Sequence, residues 1–508
     1  MSVENKERLV DFRNKLSSKI NKHQPERKNM KATARTGNGA VAFEHSEDNL
    51  VEFFSKAGSL YVNKGTYYGN ESTALELFKN AWRTDNYKSM QLAMWLRDCR
   101  GGSGNRSGFR AIINWLGNNY PEWIKANIAL IPKYGRWDDL VALYNTPCEK
   151  DALHIWSLAI QSVDANVFGL AAKWADRQDV KLRNYMGFSP KGFRKLLVSK
   201  TMVVESLMCS GRWEKVNYNH VPSVASARYA NAFKKHDETR YNEWRESLAS
   251  PESVNKVNAE VLLPHDIVRM VQHCYGDDPA VVNALAEAQL KAIPNYMEKT
   301  NKRIMSILDF SGSMSSVNVA GSVTALDVAL GLGLYCSEKV GSNNPFYRAV
   351  IPFSTNSKLV SWKGMSLVAA INKIPNGYCG STDIKQALKV LLDAGKFFNA
   401  TNDQMPNVLL ILSDMQFDQG VTHSETPVEE SLKEWEAAGY ARPQIVYWNL
   451  AGYQNQPETA FKKDVALVSG YSPSVLKAVL SGEDFTPIAV MNRTISKYEI
   501  TDPRTIKG

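Results

Sequence analysis

The chain has 508 residues, of which 44% are hydrophobic and 22% charged, the balance of a folded globular protein and not of a disordered or collagen-like one. It is too long for one ordinary core, and no run of 18 apolar residues suggests a membrane span. The formal charge of +9 lies wholly in residues 1–300, because residues 301–508 hold 19 basic and 19 acidic side chains.

Six cysteines (Cys99, Cys148, Cys209, Cys274, Cys336 and Cys379) are scattered without close pairs. That spacing argues against a disulfide framework or a Cys-x-x-Cys zinc site. The first residues lack the apolar core of a signal peptide, so a reducing cytoplasm is the expected compartment.

Residues 1–45 read as a basic, flexible arm with one helix over 6–20. Within it, residues 1–35 hold 10 basic side chains against 4 acidic ones. A basic excess favours a polyanionic partner, although here much of it sits in a tail and not on a folded face.

Residues 46–300 carry apolar residues three and four apart, broken at glycine and proline, and are expected to be all-helical. The segment contains an internal echo. Gly108-Phe109-Arg110 is followed by Gly135-Arg136-Trp137-Asp138-Asp139, and Gly192-Phe193-Arg194 by Gly211-Arg212-Trp213-Glu214. The two signatures recur in the same order, 84 and 76 residues apart. Stacked helical pairs of this kind build a curved, HEAT-like array with a binding face. Trp137 and Trp213 suit core packing, with Arg136 and Arg212 at helix ends.

The loop from Arg97 through Arg100, Gly101-Gly102-Ser103-Gly104 and Arg106 to Arg110 has two readings. Its glycine backbone and four arginines could cradle phosphate, or it is an ordinary glycine loop with a Ser or Asn cap. Arg97, Arg100, Arg106, Arg110, Arg194 and Lys195 are the candidate RNA contacts. The Gly-Lys-Ser/Thr of a P-loop is missing.

From residue 301 the grammar changes. Buried strands are expected over 304–308, 347–351, 359–362, 407–412 and 444–449, with helices over 323–339, 383–392, 429–438 and 474–480. This alternation predicts a doubly wound, mostly parallel α/β sheet, which binds ligands beyond the carboxyl ends of its strands. One strand ends on Asp309-Phe310-Ser311-Gly312-Ser313 and another on Asp414, while Gly380-Ser381-Thr382-Asp383 is a glycine turn into a helix. Asp309, Ser311, Ser313, Thr382 and Asp414 form an all-oxygen set suited to Mg²⁺ or Mn²⁺. Asp383 is expected as a helix cap and Asp418 as a solvated loop residue.

These five residues, in this order, resemble the metal-ion-dependent adhesion site of a von Willebrand factor A domain. The resemblance implies that the serines ligate directly, that Thr382 and the aspartates do so directly or through water, and that an open position accepts a partner's carboxylate. An all-helical repeat followed by such a domain resembles the Ro ribonucleoprotein family, with its TROVE-type helical module. Arg100-Gly-Gly-Ser-Gly-Asn-Arg106, Tyr134-Gly-Arg-Trp-Asp-Asp139, Ser413-Asp-Met-Gln-Phe-Asp418 and Tyr447-Trp-Asn-Leu450 are similar to uncharacterised relatives of that family in phages, fungi and plants.

The implied protein is a non-enzymatic RNA-binding scaffold, whose helical ring or arc takes structured or single-stranded RNA. The alternative is a metal-dependent protein-interaction or virion-assembly component without RNA, its metal receiving an acidic residue of a partner. Neither reading involves a membrane. His-Glu-x-x-His and Gly-x-Ser-x-Gly are missing, and His265 and His273 are not at ligand spacing; no catalytic residue is assigned.

Overall fold

Helix caps punctuate the first half of the computed structural model, which describes residues 34–506 apart from 61–70, 202, 249, 251–253, 256, 258–261, 274–278, 299, 321, 354–356, 375–381, 419–424, 453–454 and 482–483. Asp48, Asp85, Asn105 and Ser189 each accept a backbone N–H at the start of the helices Asn49–Lys56, Asn86–Arg97, Arg106–Asn119 and Pro190–Lys200. The expected helix over 6–20, the turn Gly380-Ser381, Cys274 and Cys379 lie outside the described residues.

The echo has a structural counterpart. In both copies the cap bonds the glycine of Gly-Phe-Arg, with Asn105 Oδ1 and Ser189 Oγ accepting from the N–H of Gly108 at 3.0 Å and of Gly192 at 3.1 Å. Phe109 and Phe193 are fully buried. Each Gly-Arg-Trp then opens a 3-10 turn, Trp137–Leu143 and Trp213–Lys215.

The second half is built on a six-stranded sheet. Its strands are β3 (Ile304–Asp309), β6 (Ala349–Phe353), β7 (Val360–Ser361), β8 (Val408–Ser413), β9 (Gln444–Asn449) and β10 (Val465–Ser469), in the spatial order β10-β9-β8-β3-β6-β7. Every pairing is parallel except β7 with β6. Near-continuous apolar strands such as Val408–Ser413 suit a sheet covered on both faces. Two small ladders lie outside it, β1 (Ala34–Arg35) with β2 (Val41–Ala42) and β4 (Asn318–Ala320) with β5 (Val323–Thr324). From β3 the chain runs to β6 and β7 on one side, then crosses to β8 on the other, so the order reverses beside β3. Ligand sites of open α/β sheets form at such a switch point.

The expected boundaries at 45 and 300 do not separate independent bodies. One contiguous set of buried apolar side chains runs through both halves. At one flank the helix Asn49–Lys56 lies on β10: Ser469 Oγ donates to Phe54 O at 2.6 Å, and Gly470 N donates to Ser59 Oγ at 2.9 Å. The C-terminal segment crosses back to the helices, with Gln91 Nε2 donating to Tyr498 O at 2.9 Å and Tyr498 OH to Asp98 at 2.9 Å.

At the other flank the helix Pro264–His273 lies along Ala325–Lys339. A Cβ on Gly331 would come within 2.6 Å of His265 N, so only glycine permits this approach. Glu287 and Asn283 accept the N–H groups of Leu367 and Val368. The helical array thus meets the sheet domain at both its ends.

Residues 34–43 depart from the expected arm. They form the β1–β2 hairpin, and Phe43 exchanges both backbone hydrogen bonds with Gln456 at 2.8 Å. Among the described residues no helix is long and apolar enough to cross a membrane.

Candidate metal centre

Strand register brings the two aspartates together. Leu308 pairs with Leu412 across β3 and β8, which places Asp309 beside Ser413-Asp414 at the carboxyl edge. Ser413 Oγ donates to Asp309 Oδ2 at 2.5 Å and accepts the N–H of Met415 at 2.9 Å. The other Asp309 oxygen accepts the N–H of Ser311 at 2.9 Å. Ser311 and Ser313 hydroxyls lie 3.1 Å apart, and Ser313 reaches Asp414.

Thr382 lies on a third loop, where its carbonyl accepts the N–H of Asp418, four residues after Asp414, at 3.0 Å. Asp383 caps the following helix, Ile384–Phe397, as expected. Asp418, expected to be a solvated loop residue, instead bonds Thr382 through its backbone and forms an antiparallel bridge with Gly39.

Asp309, Ser311, Thr382 and Asp414 are all buried. Burial, then the neighbouring Asp414 charge, pushes the Asp309 carboxyl upward; burial does the same to Asp414, against its bonds from Ser313 and Gln416. Among the described residues Asp414 Oδ2 has no hydrogen-bond partner despite its burial. An orphaned buried carboxylate oxygen is costly, and a hard cation removes that cost. Two carboxylates and three hydroxyls match the oxygen chemistry of Mg²⁺ or Mn²⁺, so the residues fit the ion. No cluster of three or more His, Cys, Asp or Glu forms a metal group among the described residues, and a hydroxyl-rich set with two acids falls outside such a cluster.

Two features of this edge were not anticipated. Ser413 orients Asp309, although the strand-ending Ser-Asp pair was visible in the sequence. Met415, directly after Asp414, has φ +64, uncommon for a side chain of its size and strained. That conformation turns the chain so that Gln416 N bonds back to Asp414 Oδ1 at 3.1 Å.

The arginine loop is largely turned inward. Arg97 is buried and its Nε donates to Asp139 at 2.6 Å; Arg110 Nε donates to the same carboxylate at 2.8 Å. Arg106 and Arg136 pair with Asp138, at 2.8 and 3.0 Å, and the Arg136 guanidinium sits 3.8 Å over the Trp174 ring. Arg97 therefore belongs to the interior and not to an RNA face, while Arg106 and Arg110 are tied to aspartates. Glycine serves close approach here too, because a Cβ on Gly135 would meet Asp139 at 2.5 Å.

The second copy differs in charge. Glu214-Lys215 stands where the first has Asp138-Asp139, and Arg194 and Lys195 are exposed. Among the described residues neither has an ion-pair partner. Arg100 is exposed as well.

Sequence comparison adds a family. A domain of unknown function, DUF2828, matches residues 36–177 and 190–310, just over half of the chain. The chain belongs to the DUF2828 family. The DUF2828 match spans the hairpin turn and β2, most of the helical array and β3, and a second domain of unknown function, DUF7788, matches residues 303–503. The uncharacterized protein L728 of Acanthamoeba polyphaga mimivirus is 24% identical over 522 residues, which cover 91% of this chain and 87% of the viral one.

Proposed function

We propose that this DUF2828 protein is a non-enzymatic docking scaffold, in which a helical array is closed by a von Willebrand factor A-like domain bearing a divalent-cation site. The observation that carries the proposal is the buried Asp309–Asp414 pair at the sheet's switch point, with Asp414 Oδ2 lacking a hydrogen-bond partner among the described residues. Asp309, Ser311, Ser313, Thr382 and Asp414 would hold Mg²⁺ or Mn²⁺. When bound, the ion supplies an electrophilic position for a partner's carboxylate. The chain's own residues hold the ligand set: Ser413 fixes the rotamer of Asp309, and the Met415 turn fixes Asp414. The parallel sheet with one antiparallel edge strand, and the array meeting it at both ends, support the likeness to Ro ribonucleoproteins.

A second reading, RNA binding, is favoured by the charge difference between the two copies. Tyr185 and Phe188 are 44% and 36% exposed on the approach to the helix that carries Arg194 and Lys195. Exposed aromatics among unneutralised cations suit stacking and phosphate contact with single-stranded RNA.

Thermal unfolding across a Mg²⁺ series tests the docking scaffold. Saturating ion at a hundredfold excess over Kd stabilises the folded state by about 2.7 kcal/mol. Asp414→Asn should raise the melting temperature of the metal-free protein and abolish the response to Mg²⁺. A wild-type protein indifferent to Mg²⁺ and Mn²⁺ would remove the reading.

A further inference from the structure

The β1–β2 hairpin comes from outside the sheet domain, yet its tip lies on the rim of the cluster. Asn38 Nδ2 donates to Thr382 Oγ1 at 3.3 Å and to Gln416 O at 2.7 Å. Gly37 N donates to Gln416 Oε1 at 2.6 Å, and Thr36 Oγ1 donates to Phe417 O at 2.6 Å. Gly39, at φ +89, bridges Asp418. A single turn therefore clasps the segment after Asp414 and, through one amide, the hydroxyl of the third loop.

The chemistry of that amide is specific. A threonine hydroxyl has two lone pairs and one proton. Asn38 donates into one lone pair, which leaves the other free for a cation and fixes the direction in which it points. The same amide group holds Gln416 O, two residues beyond Asp414, so the Thr382 loop and the Asp414 loop are kept in register by one side chain. Partners of this outer kind orient metal ligands and tune affinity.

We propose that Asn38 is a positioning residue of the metal centre: it aligns the Thr382 hydroxyl with the Asp414 loop and thereby ties cation affinity to the N-terminal hairpin. This rests on the cation reading above. It makes the site a joint product of both halves of the chain, because the sheet domain alone lacks the group that orients its threonine ligand.

Calorimetric titration of the full chain with Mn²⁺ tests it. Asn38→Ala should weaken Mn²⁺ binding about 10-fold. The loss should shrink in a Thr382→Ala background, where only the Gln416 contact remains to be lost, and persist in full in Thr382→Ser, which keeps the hydroxyl. Asn455→Ala releases a different contact to the hairpin, the bond from Asn455 to Arg35 O, and should change affinity less than twofold. Wild-type affinity in Asn38→Ala, or losses that simply add in the Asn38/Thr382 double variant, would overturn the positioning role while leaving the metal centre standing. No saturable Mn²⁺ binding by the wild-type chain would overturn both.

Discussion

Replacing Asp139 with alanine separates an interior role for the arginine loop from a surface one. Its carboxylate is fully buried, accepts from Arg97 Nε, Arg110 Nε and the Arg136 backbone, and Arg97 itself is 3% exposed. Removing the acid leaves a guanidinium in the interior without its counter-charge. Breaking a buried pair in this way costs about 3–5 kcal/mol. Asp138→Ala is the internal control. That carboxylate is half-buried, at 17% exposed, and its partners Arg106, Arg110 and Arg136 keep side chains 44%, 26% and 27% exposed, so water still reaches the guanidiniums that its removal leaves behind and the loss is smaller than for a fully buried pair. Urea unfolding followed by tryptophan fluorescence reads both variants. Asp139→Ala is expected to fall well below Asp138→Ala in stability. An Asp139→Ala protein within about 1 kcal/mol of wild type would refute the interior assignment.

Three further outcomes follow from the packing and the charges. Gly331→Ala inserts a methyl against the His265 backbone, where the clearance is 2.6 Å, and should destabilise the array–sheet junction by about 1–3 kcal/mol, read as a lowered melting temperature. Burial, reinforced by Glu429 and opposed by Lys462, pushes the Glu458 carboxyl to about 7. The folded state then holds a proton that the unfolded chain has lost, so stability falls as pH rises from the ordinary carboxylate range to about 7. Glu458→Gln should therefore be more stable than wild type at pH 8, by about 3 kcal/mol at most, and no more stable at pH 4; equal stability at both would contradict the shift. If RNA binds the second copy, Arg194→Ala with Lys195→Ala should weaken filter-bound RNA and flatten the salt slope by one to two, and an unchanged slope would exclude that face.

The sequence carried the sheet edge well because its signal is local. A strand that ends on an acid places that acid at the carboxyl edge, and Asp309 and Asp414 did so on neighbouring strands. The helices were legible from their apolar spacing and their glycine and proline breaks. β10 was not: Val465-Ala-Leu-Val-Ser469 is a short apolar run that periodicity cannot assign to strand or helix.

The hairpin is hidden in the sequence for a different reason. Its strands are two residues long, its composition is that of a basic arm, and its partners lie some 380 residues away. Long-range pairing also hid the fate of the arginines. Arg97 and Asp139 are 42 residues apart, and nothing in the spacing announced that the second signature of the echo neutralises the first. The Asp-to-Lys exchange between the copies, Asp139 against Lys215, was readable but gained meaning only once those contacts were seen.

The central claim is that Asp309, Ser311, Ser313, Thr382 and Asp414 hold one divalent cation. Equilibrium dialysis against Mn²⁺, with bound metal counted by electron paramagnetic resonance, tests it most directly. One equivalent per wild-type chain, lost in both Asp309→Ala and Asp414→Ala, is the predicted result. A wild-type chain that binds no Mn²⁺, or variants that bind it as wild type does, would contradict it.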